Sequence, residues 1–144
     1  MQQNIIDGLY SLRSLLETAF YPETSCQNAG VYNKCSSIGQ YVAVAVIVYD
    51  RFGGKFVNTT APGQSHWFNR LNINGEVMDV DLIDDQFGLP AIRFGNPGNL
   101  WPNTRRINMN ELHHETIQRA ILLAMKAGLI DIYDRLQQFL ESRK

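Results

Sequence analysis

The sequence predicts an α+β domain with a buried central helix packed on a small antiparallel sheet, an N-terminal helix and a C-terminal helical hairpin. Three observations carry this. Apolar residues recur at three- and four-residue steps over residues 5–20 and again beyond residue 108. An Asn-Gly pair, Asn74-Gly75, stands between two alternating runs. The stretch GQYVAVAVIVYDRFGG, residues 39–54, encloses an apolar run between glycines.

With 144 residues the chain is long enough for one domain with a real core, so residues 1–144 are read as one unit. Within it, residues 36–88 form the core and residues 105–144 the helical hairpin. A hydrophobic content of 44% and a charged content of 19% describe an ordinary globule and argue against disorder. Thirteen basic and fourteen acidic residues leave a net charge of -1, so no global field recruits nucleic acid or an anionic membrane. No window approaches the length of an uncharged membrane span, and MQQNIIDGLY lacks the basic start and apolar block of a secretory signal. A cytoplasmic, reducing address is expected, with Cys26 and Cys35 as free thiols in preference to the disulfide that their short spacing would allow.

In chain order, residues 5–20 read as an amphipathic helix that Asn4 can cap and Pro22 follows; Gly8 weakens it by about 1 kcal/mol relative to alanine. Residues 21–38 read as a long loop. The run at residues 42–49 is ambiguous, because β-branched content favours a strand. The distance between its glycine boundaries, and Gly53 or Gly54 as a left-handed closing residue, favour a helix buried on nearly every side. Residues 55–60 suit a strand with Phe56 and Val57 inward.

If Asn74 and Gly75 are the two turn residues, Ile73 faces Glu76, Arg70 faces Asp79, Phe68 faces Asp81 and His66 faces Ile83. Alternation then puts Trp67, Asn69, Leu71, Ile73, Met78, Val80 and Leu82 on one face, nearly all apolar and due to pack on the core. His66, Phe68, Arg70, Asp79 and Asp81 share the other, with His66 and Asp81 as diagonal neighbours within reach. Residues 84–103 read as an irregular arm with one short strand at residues 91–94. Asn108 and Glu111 form a capping box for a helix running to about Ala127, burying Leu112, Ile117, Ile121, Leu122 and Met125, and Gly128 stops it. A last helix over residues 129–141 buries Ile132, Tyr133, Leu136, Phe139 and Leu140.

A helix N-terminus facing a hairpin that carries a histidine and a carboxylate is the arrangement used by thiol hydrolases. The helix end lowers a thiol pKa and its N–H groups hold an oxyanion; the histidine is the base, and the carboxylate orients it. The residues that carry this arrangement, SSIGQYVAVAVIVYDRFGG, SHWFNRL and VDLIDDQF, resemble the YunG-like family. Its pattern is a Gly-Gln-Cys opening a helix, a Gly-Gly after it, a His-aromatic-aromatic-Asn strand and an Asp-Leu-Thr strand ending in Gln-Phe. The matching residues here are Gly39, Gln40, Gly53, Gly54, His66, Trp67, Phe68, Asn69, Asp81, Leu82, Gln86 and Phe87. The resemblance covers residues 36–88, with the helices after residue 104 outside it. It implies a papain-like or transglutaminase-like fold and a site at Gln40, His66 and Asp81. Tyr41 stands where the nucleophilic cysteine would be, and Ile83 where threonine would be.

A phenol near pKa 10 is a poor substitute for a thiol near 8.5 in acyl transfer. The expected function is therefore a catalytically inactive papain-like protein acting as a protein-binding module or inhibitor. Such a history fits a small phage or mobile-element protein that blocks a host factor. The alternative is an active thiol hydrolase or amidase using Cys35 or Tyr41 with His66 and Asp81, although Cys35 lies six residues before Tyr41, outside the helix start. A homodimer through the C-terminal helices is a third reading. Trp101, Arg105 and Arg106 are candidate binding residues, with Trp101 a core plug or an anchor and the arginines a phosphate contact or a solvated turn. Asp79 and Asp81 could do paired-carboxylate acid–base work, but one of them neutralising Arg70 across the strands is the simpler reading. His113 and His114 point about a quarter-turn apart and no Cys-x-x-Cys spacing exists, so neither metal nor cofactor is expected.

Overall fold

The structure, a computed structural model, describes residues 2–20, 41–59, 66–83, 90–101 and 103–143. Among them are four α-helices and a five-stranded antiparallel sheet, an α+β architecture. The expectations for Cys26, Cys35, Gln40, Gln86, Phe87 and the loop at residues 21–38 lie outside the described residues.

Helix α1 (Gln2–Glu17) buries Leu9, Leu12 and Leu16 along one stripe, while Tyr10 and Leu15 face outwards. Arg13 lies inside that stripe. Its guanidinium donates to the Leu82 carbonyl at 2.5 Å and to Glu17 at 2.9 Å, and it covers the Phe20 ring. It thus bonds the first helix to the end of the third strand, 69 residues on. Arg13→Ala is expected to lower unfolding stability by about 2–3 kcal/mol, because a charge-assisted bond goes and a buried carbonyl loses a donor; urea unfolding checks it, and a change within error would contradict the tie.

Helix α2 (Tyr41–Phe52) is the ambiguous run, and it is a helix despite its β-branched content. Every residue from Val42 to Val48 is buried, so packing on nearly all sides overrides a propensity difference of tenths of a kilocalorie per residue. Gly53 closes it in the left-handed region (φ +75°), its N–H donating to the Tyr49 carbonyl.

Strands β1 (Lys55–Thr59), β2 (His66–Ile73), β3 (Glu76–Asp81), β4 (Arg93–Gly95) and β5 (Arg105–Ile107) lie in the order β4-β3-β2-β1-β5. The β2–β3 hairpin has the expected register, from Ile73 opposite Glu76 through Arg70 opposite Asp79. Asn74 and Gly75 take φ of 58° and 77°, as a turn of that hand requires. The inner face carries Phe56, Trp67, Leu71, Ile73 and Val80 against α2, and the Asn69 side chain donates to the Ala45 carbonyl of that helix at 2.9 Å. Phe56 and Val57 are both buried, but on opposite faces. Phe56 meets the Tyr49 ring edge-on at 5.1 Å, and Val57 packs with Phe68 and Trp101 on the outer face.

The structure corrects the sequence reading elsewhere too. The first helix runs from Gln2 to Glu17 rather than over residues 5–20, so Asn4 lies inside it and does not cap it. The short strand is Arg93–Gly95, not residues 91–94, because it extends the ladder on β3. Arg105 and Arg106 sit in β5, paired with β1, not in a turn. The Asn108–Glu111 box caps a single 3-10 turn (Met109–Glu111); Leu112 is then extended, and α3 (His114–Lys126) begins only after His113. Met125 is 49% exposed rather than buried, since it falls on the outward side of α3 beside α4 (Ile130–Ser142). Between these helices Gly128 (φ +75°) forms the turn, and the Leu129 N–H reaches back to the Ala124 carbonyl. No helix among the described residues is long and apolar enough to cross a membrane.

Candidate functional site

His66 opens β2 and Asp81 closes β3, so the hairpin register brings both to one end of the sheet. His66 Nε2 lies 2.5 Å from Asp81 Oδ2. The same oxygen accepts the Trp101 indole N–H at 2.9 Å, and Asp81 Oδ1 accepts the Ile83 backbone N–H at 3.2 Å. The imidazole stacks on Phe68 (6.2 Å between centroids) and meets Trp101 edge-on at 5.1 Å. His66, Asp81 and Trp101 are 0%, 1% and 8% exposed. Arg93 sits 5.2 Å from the centre of the indole ring, a cation–π contact.

Strand alternation decides which side of the sheet this cluster occupies. Asn69 faces α2, so His66, three residues earlier on the same strand, faces away from it. The pair therefore lies on the outer face, covered by Trp101, and not on the face where the helix packs. Asp79, two residues before Asp81, is held there by both Arg70 Nε (2.7 Å) and Nη2 (3.2 Å), and accepts the Gly98 N–H at 2.9 Å. The two carboxylates of β3 thus serve as two anchor points for the segment at residues 96–101.

The family of the YunG protein matches residues 8–125, from inside α1 to the last turn of α3. The chain belongs to the YunG family. No curated protein and no solved structure matches it. The YunG match is wider than the motifs at residues 36–88. It takes in α3, which the sequence reading left outside the family pattern, while α4 lies beyond it.

In this YunG-family chain Tyr41 is the first residue of α2. Alternation separates Arg105 from Arg106: Arg106 pairs with Val57 and shares the outer face with Trp101, whereas Arg105 reaches Glu111 at 3.4 Å. The Asn108 backbone N–H that Glu111 accepts holds its carboxyl below the ordinary value, against slight desolvation and aided by Arg105. His113 and His114 stand at the start of α3, and no group of three His, Cys, Asp or Glu among the described residues could hold a metal.

Sequence reasoning passed over Arg13 and the Arg93–Trp101 contact. Arg13 was detectable as a lone charge inside the Leu9, Leu12, Leu16 stripe with Glu17 four residues on; Arg93 carries no local signal, because its partner is set by how the arm folds back.

Proposed function

We propose that this YunG-family chain is a catalytically inactive protein of papain-like ancestry that acts in the cytoplasm by binding another protein. The observation that supports it best is the condition of His66. A general base must bring a ring nitrogen within hydrogen-bond reach of the proton it takes. This imidazole has no exposed surface, its Nε2 faces Asp81, and the indole of Trp101 packs against it. A tyrosine at the helix start removes the thiol that such chemistry uses. With the base enclosed and the nucleophile replaced, the His66–Asp81–Trp101 cluster reads as a polar core that fixes the outer face of the sheet.

The test has two arms. Purified wild type, Cys35→Ser and Tyr41→Phe are incubated with a p-nitrophenyl ester and a thioester; all three are expected to match the buffer rate. The same three proteins, immobilised, are expected to capture one cytoplasmic protein stoichiometrically and to the same extent. Hydrolysis by wild type that either substitution abolishes would restore the hydrolase reading, and failure to retain a protein would remove the binding one.

A further inference from the structure

Away from the His66 cluster, a cavity of about 390 Å³ opens where the C-terminal end of α2, the 3-10 turn and α4 meet. Its apolar lining is Tyr49, Met109, Phe139 and the buried Leu136. Its polar lining is Asp50, Arg135, Asn108 and Asn110. The volume is near the small end of the range for ligand pockets, about 300–1,000 Å³, which suits one ring or little more.

The charges in this pocket cancel. Arg135 Nε (2.9 Å) and Nη2 (2.6 Å) both donate to Asp50 Oδ1, and Asp131 approaches the same guanidinium at 3.5 Å. Arg51 lies 4.0 Å from Asp131, so two acids and two bases close the network. An anion arriving at Arg135 meets Asp50 and Asp131, and a cation arriving at Asp50 meets Arg135. Because both guanidinium N–H groups converge on Oδ1, Asp50 Oδ2 has no partner among the described residues, and the side chain keeps 13% of its surface. That oxygen is able to accept from a ligand hydroxyl. The exposed Asn110, in the same lining, carries an amide with two donors and an acceptor.

We infer that this pocket binds a neutral polyhydroxylated ring, one sugar unit. Hydroxyls donate and accept at once, so they satisfy Asp50 Oδ2 and the Asn110 amide together, while the C–H face of the ring lies on Tyr49 and Phe139. Arg135, Leu136 and Phe139 come from α4, beyond the YunG match, while Tyr49, Asp50, Asn108, Met109 and Asn110 lie within it. The site is independent of the protein-binding reading above.

The experiment is a ¹H–¹⁵N titration of the full chain with three probes that share a ring and differ in charge: methyl glucoside, glucuronate and glucosamine. Methyl glucoside is expected to give saturable shifts confined to residues 49–50, 108–110 and 135–139, with both charged sugars binding at least about fivefold more weakly. Asn110→Ala, an exposed change that leaves the fold intact, and Phe139→Ala are each expected to weaken methyl glucoside about tenfold. Shifts that fail to saturate, equal binding of all three probes, or undiminished binding by the Asn110→Ala protein would each overturn the inference.

Discussion

Asp81→Ala is expected to destabilise the protein by about 3–5 kcal/mol, a large part of the total of about 5–15 kcal/mol typical of a domain. One side chain takes up His66 Nε2, the Trp101 indole N–H and the Ile83 backbone N–H. All three sit where water cannot replace the lost acceptor, at about 1–3 kcal/mol for each unmet group. Trp101 also holds the arm at residues 96–101 against Val57 and Phe68, so its release exposes apolar surface. Urea unfolding followed by tryptophan fluorescence measures this. Asp81→Asn, which keeps an acceptor oxygen and the shape, should lose about half as much. A loss below about 1 kcal/mol for Asp81→Ala would show that the cluster is not a structural core, which would also weaken the non-catalytic reading of His66.

Gly54→Ala should be nearly as damaging, at about 3 kcal/mol or more, for a reason its neighbour isolates. Both Gly53 and Gly54 have positive φ, +75° and +72°, which costs an L-residue about 1–2 kcal/mol. A Cβ at Gly53 meets nothing within 4 Å, whereas one at Gly54 would lie 2.4 Å from the Arg70 carbonyl oxygen and 2.8 Å from Leu71. The first of these is backbone in the middle of β2 and cannot move without breaking the ladder with Lys55. Gly53→Ala therefore reports the conformational cost alone, and the difference between the two variants reports the close approach of α2's exit to the sheet. Equal midpoints for the two would contradict that packing.

The parts legible in the sequence were those decided within a few residues. Asn74-Gly75 set the hairpin turn, and the period of two then set the register and the separation of His66 and Asp81 from Asn69 and Val80. Gly53 and Gly128 marked helix ends through their own backbone freedom. The capping box was real, with Glu111 accepting the Asn108 N–H at 2.9 Å, but local capping says nothing about how far a helix continues past its first turn. Of the candidate site, the pairing of His66 with Asp81 was visible, as was the opposite face as the one that packs on the core; that Trp101 would cover the pair was not.

By itself the sequence determined the α+β class, the hairpin and its two faces, because turn chemistry and side-chain alternation are local. The glycine boundaries already favoured a helix over residues 42–49, and the packed structure shows what sustains it, since burial on every side outweighs its β-branched propensity. Tertiary structure alone placed Arg105 and Arg106 in an edge strand paired some fifty residues back, a contact no local pattern encodes. It also folded Trp101 onto Asp81 across 20 residues, which turned an outer face carrying a histidine and two carboxylates into buried core. A carboxylate with three donors inside an apolar cover is stable only when the whole arm closes over it, and that closure is a property of the packed chain.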